Sequence, residues 1–565
     1  MQKKYSLFLF FSFPLVLLSQ ENNPSSNNAG EIHGNFQMDA QYYNPDSTIG
    51  AAPVPEKMLM NGFMNLIYTK GNFTAGARYE SYLNPIQGYD PRYKGSGIPY
   101  RFASYKADEL EVTAGNFYEQ FGSGLILRAY EEKGLGIDNV FDGLRLRYAL
   151  HGIYLKGLVG KQRNYFSQGP GIVRGFDGEV HLNEIVKKLS ESPTQIVLGG
   201  SFLSKYQSGN QLVYQSSTLN VPENVGASAG RISVSRKRII LSAEYATKIN
   251  DPSAFNQYIY KPGEAILLNG NYSMKGFAVS LGAKRTDNFS FKSDRTATGS
   301  DLNINFVPTL SRQHTYSLMA FYPYATQLNG EIAYRAEISK KFNKETFLGG
   351  KYGSDITVNF SSASGLDTSR LSPANDSARN GYTVKNYFKS GQLYFSDVNI
   401  EFHKKFSPKF KLMLLYANQA YNKDVVQGEK GFGTIYSNIG MAELTFKLNH
   451  ERSIRWEIQH MSSTSARWKD ATIPADKDEK NWAMSLVEVG LSEHWLVSAA
   501  DMYNYGNPDV NLRLHYYNGT VVYVKSAMRI SLGYGRQRAG IFCVGGVCRY
   551  VPASNGLLLS VTSSF

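Results

Sequence analysis

Apolar and polar residues alternate with a period of two from one end of the chain to the other. Phe36, Met38, Ala40 and Tyr42 alternate with Gln37, Asp39 and Gln41. Phe73, Ala75, Ala77 and Tyr79 oppose Thr74, Gly76, Arg78 and Glu80. Leu144, Leu146, Tyr148 and Leu150 oppose Arg145 and Arg147, and Phe277, Val279, Leu281 and Ala283 oppose Ser280, Gly282 and Lys284. The same pattern places Ile332, Tyr334, Ala336 and Ile338 against Glu331, Arg335 and Glu337, and Val398, Ile400 and Phe402 against Asp397, Asn399, Glu401 and His403. Leu557, Leu559, Val561 and Phe565 close the chain on one face. A period of two is the mark of β-strands with unlike faces.

A soluble β-sandwich alternates as well, with its apolar face inside. Two features favour a transmembrane barrel. The polar face carries both signs of charge on single strands, as Arg78 with Glu80 or Arg335 with Glu331 and Glu337. The segments also run to about ten to thirteen residues, which suits a tilted crossing of the bilayer. Tight connections at 69–72, 106–109, 151–152, 236–238, 274–276, 343–345, 407–409 and 450–452 alternate with long polar ones at 44–57, 85–97, 165–175, 207–223, 290–328, 360–391, 423–434 and 464–479. Short periplasmic turns on one rim and long extracellular loops on the other are the pattern of an outer-membrane barrel. Counting in this way predicts a single antiparallel barrel of about 24 strands, within a range of about 22 to 26. At 514–524 the apolar phase flips, which reads as a bulge or as a hairpin turn at Asn518-Gly519.

One stretch breaks the alternation. Between Gly115 and Asn139, glycines 122, 124, 134 and 136 interrupt it, and Glu119, Arg128, Glu131, Glu132 and Asp138 add charge. Continuing as a lipid-facing strand would put Glu119 or Gln120 into hydrocarbon, at roughly 2–4 kcal/mol for a charge at mid-depth. The "LILR" run at 125–128 is too apolar for a free solvent loop. The segment 123–142 is therefore expected to fold over or into the lumen. There it would pack Leu125 and Leu127 and offer Arg128, Glu131, Glu132, Asp138 and Asp142 to inward-facing Arg145 and Arg147. Such a segment is either a constriction lining a pore, with Glu119 among its charges, or a salt-bridged brace.

The two ends add location. Lys3 and Lys4, an apolar run of about fifteen residues and small Ser19 read as a secretory signal peptide over 1–19, too short for a membrane span. A flexible segment, 20–30, would precede a barrel over 31–565. Neither cysteine lies near residue 19, so a lipid-modified N-terminal cysteine is excluded. Tyrosine (39), phenylalanine (32) and glycine (52) are spread throughout, without the composition shift of a second domain. Without Lys3 and Lys4 the chain holds 58 basic and 47 acidic residues, a mild excess with no clustered stripe, so nucleic acid is not an expected partner.

"CVGGVC" at 543–548 lies between the last two strands. A turn at Gly545-Gly546 would set Cys543 and Cys548 opposite each other at a non-hydrogen-bonded pair, within reach of a disulfide. Two thiols without a nearby histidine leave a metal ligand set incomplete. No nucleophile elbow, phosphate loop, zinc or calcium motif is present, and His33, His151, His403 and His515 read as lumen or rim residues. No enzyme, cofactor or metal site is expected.

The stretches "GNFYEQFGSGLILRAYEEKGLGIDNVFDGLRLRY" and "YGRQRAGIFCVGGVCRYVP", with the "TSSF" end, resemble a family of uncharacterised outer-membrane barrel proteins from Bacteroidota. The resemblance spans essentially the whole mature chain. It implies a barrel in the outer membrane of a Gram-negative bacterium, among outer-membrane lipid and lipopolysaccharide, and no particular activity. The terminal Phe565 likewise looks like the signal read by the outer-membrane assembly machinery, or serves as a girdle aromatic. Two functions follow as expectations: porin-like passage of hydrophilic solutes through a constricted lumen, or an accessory barrel in an envelope protein complex for assembly, secretion or surface attachment.

Overall fold

A computed structural model describes residues 30–209, 212–214, 217–371, 381–470, 472–544 and 547–565. The expected signal peptide, the segment 20–29 and the turn at Gly545-Gly546 lie outside them. Twenty-four antiparallel strands close into one barrel. They are β1 (Glu31–Tyr43), β2 (Met58–Lys70), β3 (Phe73–Asn84), β4 (Gly95–Ala107), β5 (Leu110–Phe117), β6 (Phe141–Leu150), β7 (Ile153–Asn164) and β8 (Ser167–His181). Next come β9 (Thr194–Tyr206), β10 (Asn224–Arg236), β11 (Ile239–Lys248), β12 (Gly263–Met274), β13 (Phe277–Asp287), β14 (Gly330–Phe342), β15 (Ser354–Arg370) and β16 (Tyr382–Lys405). The last are β17 (Phe410–Asn422), β18 (Thr434–Lys447), β19 (Ser453–Thr464), β20 (Trp482–Gly490), β21 (Trp495–Tyr503), β22 (His515–Lys525), β23 (Met528–Gln537) and β24 (Ser554–Ser564). Each strand pairs with its sequence neighbour, and β24 returns to β1 with Asn35 opposite Ser564 and Tyr43 opposite Gly556. Closure leaves no edge, so every ladder is complete within the sheet.

Alternation decides which face meets lipid. Leu144, Leu146, Val159, Phe176, Leu198, Phe202, Leu281, Val398 and Ile400 stand exposed on the outside, where hydrocarbon covers them. Rings gather at the short-turn rim, where Phe410 stacks on Phe446 at 4.8 Å and Trp495 tilts against Tyr523 at 4.8 Å. Inward positions divide into two sectors. From β14 to β19 many are charged or amide-bearing, as Glu331, Asn359, Asp397 and Gln459, with apolar Leu415, Ile439, Met441 and Met461 among them. From β7 to β12 many are small or apolar: Leu158, Val173, Leu203, Val225, Ala227, Ala229, Ala246 and Ala265 are all buried.

Several sequence expectations require correction. The connection expected at 165–175 is a tight turn at Tyr165-Phe166, because β8 begins at Ser167 and absorbs the surplus residues in an irregularity between Gln168 and Ile172. The loop expected at 360–391 is mostly strand, since β15 runs to Arg370 and β16 starts at Tyr382. The tight turn expected at 343–345 is a longer connection reaching Ser354. The phase change at 514–524 is neither bulge nor turn. β22 pairs without irregularity with β21 and β23, and Val522 is an inward apolar residue in the same row as Tyr516, Asn518 and Thr520. The largest correction concerns 290–328, which is not an external loop but fills the lumen.

Candidate functional site

Two inner segments occupy the barrel. The first, 118–140, leaves the top of β5 and returns to β6. Phe121, Leu125, Ile126, Leu127 and Val140 are fully buried in it. Phe121, Leu125, Ile126 and Leu127 join Leu158, Val173, Leu203 and Val225 of the wall in one buried apolar cluster. Each such side chain contributes about 1.5–3 kcal/mol by leaving water. Gly122, at φ +51°, allows the close approach to Glu244 of β11, whose carboxylate accepts from the Ser123 N–H at 2.8 Å.

The charges of this segment are held by the wall. Arg78 of β3 bridges Glu80 at 2.6 Å, Glu131 at 2.8 Å and also Asp138. Arg163 of β7 bridges Glu80 at 2.6 Å and Asp138 at 2.7 Å. Both guanidinium side chains are at most 4% exposed. Asp138 also accepts from the Tyr118 hydroxyl at 2.9 Å. Burial pushes Glu131 above the usual carboxylate range although Arg78 opposes it, and burial with the Asp138 charge raises Tyr118 well above a free phenol. Glu119 is buried too, yet it is held low because Arg147 at 2.7 Å, the Gln120 N–H and Lys156 at 3.5 Å outweigh desolvation.

The second inner segment runs from Asn288 to Asn329. Its first half folds back on itself through Ile304 N–H to Phe291 O (2.8 Å) and Ser293 N–H to Leu302 O (2.9 Å). It docks on the first segment through Arg128 N–H to Ile304 O (2.9 Å), Phe306 N–H to Gly124 O (3.0 Å) and the Asn305 amide to Leu125 O (3.1 Å). Buried lysines of the wall donate to its backbone, Lys205 to Lys292 O at 2.8 Å and Lys248 to Ser290 O at 2.5 Å. Asp251 bridges Lys205 at 2.7 Å, so the pair is not left uncompensated. The Lys292 ammonium is lowered by burial to about 8, and donates to Gly299 O, Asp301 O and Asn303 Oδ1 at 2.6–2.8 Å.

The second half crosses to the polar sector. Arg312 reaches Asn399 at 2.8 Å and Glu401, His314 meets Asp397 at 2.7 Å, and Tyr316 donates to Glu443 at 3.2 Å. Leu318 N–H donates to Gln459 at 2.9 Å and Gln419 donates to Met319 O at 3.1 Å. Phe321 packs on Trp482 at 5.1 Å, and the Arg538 guanidinium lies 3.8 Å over the Phe321 ring. The inward amides and acids of β16 to β19 thus satisfy this loop rather than water.

Space remains beside the second half. One cavity of about 670 Å³ lies between Arg312–Tyr324 and the wall of β20 to β24 and β1, with Gln41, Asn518, Thr520 and Gly533 among its lining. Another, of about 730 Å³, lies under the long loops and is lined by Lys423, Asp476, Lys477, Asp478 and Arg549. The two share Phe321, Tyr322, Tyr516, Arg538, Gly540 and Ile541. A third, of about 440 Å³, opens at the short-turn rim of β14 to β18.

Residues 1–565 match a family of unknown function, DUF6029. The chain belongs to that family. No curated protein matches it in sequence. Among solved structures, the siderophore receptor PirA from Pseudomonas aeruginosa overlaps 95% of this chain and 80% of its own, at 12% identity and a TM-score of 0.37. A variant of the ferric enterobactin receptor PfeA from the same species overlaps 95% and 81%, at 10% identity and a TM-score of 0.42. A BenF-like porin from Pseudomonas fluorescens Pf-5 overlaps 77% and 94%, at 10% identity and a TM-score of 0.32. Overlaps of this size say nothing of a solute or a partner.

The residues expected to form one network in this DUF6029 chain are divided among several. Arg145 pairs with Glu111 at 2.5 Å and donates to Tyr118 O at 3.2 Å. Arg147 holds Glu119, and Asp142 meets Arg101 at 3.1 Å. Glu132 accepts from the Gly134 N–H at 3.1 Å. Among the described residues Arg128 has no carboxylate partner. It lies over Phe306 at 4.2 Å and Tyr130 at 5.2 Å, because the second inner segment occupies the place where acids were expected. Arg78, Glu80 and Arg163, which hold Glu131 and Asp138, were not singled out as site residues: adjacency across a barrel is invisible along the chain. Cys543 and Cys548 pair in register with Cα atoms 4.0 Å apart and are disulfide-bonded in the structure. Phe565 exchanges backbone hydrogen bonds with Gly34 at 2.9 and 3.0 Å, and a side chain at 34 would meet its ring.

Proposed function

We propose that this barrel passes hydrophilic solutes across the outer membrane of a Gram-negative bacterium by a side route. The two inner segments occupy the lumen against β3 to β19, and the route follows the wall of β20 to β24. One observation carries this reading: Phe321, Tyr322, Tyr516 and Arg538 line both the cavity beside Arg312–Tyr324 and the cavity under the long loops. A barrel of this strand number would leak if empty, so the inner segments narrow it to a size that excludes large molecules. The test is single-channel recording in planar bilayers. The intact protein should give small, discrete openings, and replacing 309–325 by a short glycine-serine linker should give much larger ones. Silence from both proteins would refute passage.

A second reading, an accessory barrel within an envelope complex, draws on the inner loop that ties β9 and β11 to β16, β18 and β19 and stiffens the wall. Stoichiometric co-purification of an envelope protein, together with absent conductance, would favour it.

A further inference from the structure

We infer that the side route admits anionic solutes, small molecules bearing carboxylate or phosphate; the inference rests on the passage reading above. The cavity at the short-turn rim is lined by Lys341, Lys404, Lys405 and Lys411. Alternation turns Lys341, Lys405 and Lys411 inward, in the rows of Glu337, Asn399 and Leu415. Lys405 and Lys411 are direct cross-strand partners between β16 and β17. Like charges placed opposite each other destabilise a sheet, and among the described residues no carboxylate bridges either one. The acids of this cavity are Asp355, in register with Lys341, and Glu443, already held by Arg455 at 2.9 Å and by Tyr316. His403, also in the lining, is held by Glu401 at 2.5 Å. The balance is an excess of positive charge.

The cavity under the long loops shows the same imbalance independently. Its carboxylates are engaged: Glu429 with Lys423 at 3.0 Å, Asp476 with Lys423 at 3.9 Å, and Asp478 with Arg538 at 2.9 Å. Lys477 and Arg549 bridge no acid among the described residues, and two buried nitrogens of Arg549, Nε and Nη1, lack hydrogen-bond partners. The Tyr322 hydroxyl, in a side chain 3% exposed that also lines the inner cavity, has none either. Uncompensated cations therefore stand in the cavity under the long loops and, separately, on the lumen-facing side of the short-turn rim of β14 to β18, past which a solute leaving the lumen travels. In a passage with low-dielectric walls such charge concentrates anions and repels cations.

The test is the reversal potential of single channels under a potassium chloride gradient. It should take the sign set by chloride. Lys405→Glu combined with Lys411→Glu should reverse that sign, and Lys405→Gln with Lys411→Gln, a milder change, should bring it toward zero. Potassium acetate and potassium phosphate gradients should each keep the anionic sign. A potential set by potassium in the unaltered protein, or one that neither double variant moves, overturns the inference and leaves passage standing. An anionic sign with chloride alone overturns the extension to carboxylates and phosphates. No current from the unaltered protein or from the linker-replaced loop overturns the passage reading itself, and the inference with it.

Discussion

Replacing Arg78 by methionine tests what holds the first inner segment. Methionine keeps much of the buried stem and removes the charge. Glu80 and Asp138 retain Arg163, at 2.6 and 2.7 Å, whereas Glu131 loses its salt bridge of 2.8 Å. Two carboxylates then share one guanidinium and the third has none. Breaking a buried ion pair costs about 3–5 kcal/mol. The Glu131 side chain is 23% exposed, so the low end, about 3 kcal/mol, applies here, and it corresponds to a shift of roughly a hundredfold between docked and released segment. The cost falls on docking, because Glu131 and Asp138 belong to 118–140 while the ladders of β3 with β2 and β4 remain. Larger or longer openings and faster proteolysis within 118–140 are expected, with heat-modifiable gel mobility of the barrel retained. Burial already raises Glu131 in the docked state, and losing Arg78 raises it further. A carboxyl raised on docking binds more protons docked than released, so docking recovers as pH falls through its raised pKa and weakens above it. Unchanged openings and protease resistance across this pH range would refute the docking role. So would loss of the folded barrel, which would make the cluster a brace of the wall.

Phe321→Ala removes the ring between Trp482 and Arg538 that lines both cavities, and should raise single-channel conductance without changing barrel yield; an unchanged conductance would place the route elsewhere. Cys543 and Cys548 should resist alkylation until the protein is reduced, and Cys543→Ser with Cys548→Ser should leave the barrel assembled; mass spectrometry of alkylated peptides reads both outcomes. Phe565→Ala should lower the amount of assembled barrel in membranes several-fold, and an unchanged amount would leave Phe565 as a rim aromatic only.

The sense of each strand and the existence of the first inner segment were legible along the chain for one reason. In a barrel between lipid and lumen every residue must face one or the other, so a break in alternation carries information. Segment 123–142 stands out because "LILR" is too apolar for a solvent loop, and the structure extends the inner segment back to Tyr118. The same signal was present in "SLMAFYPYA" at 317–325, where Leu318, Met319 and Phe321 are buried inside, and would have found the second inner segment. It was masked by the polar residues around it, such as Arg312, His314 and Gln327. Their hydrogen bonds reach β16 and Glu331 rather than water. Val173, Leu203 and Val225 were a further clue, being apolar on the inward face where water was expected.

What the sequence determined by itself is the set of local and periodic properties: antiparallel strands, their two faces, most but not all of the tight and long connections, and the approach of Cys543 to Cys548. These depend on spacing of two residues or on a few neighbours. Only the tertiary structure decided which charges meet. Arg78 and Glu131 stand 53 positions apart, and Arg163 and Glu80 83 positions apart. Closing a barrel brings strands distant in sequence around one lumen, and a segment folded into that lumen chooses its partners from the whole wall. An ion pair between them depends on the curvature of the sheet and the depth to which the segment enters, which no residue pattern along the chain records.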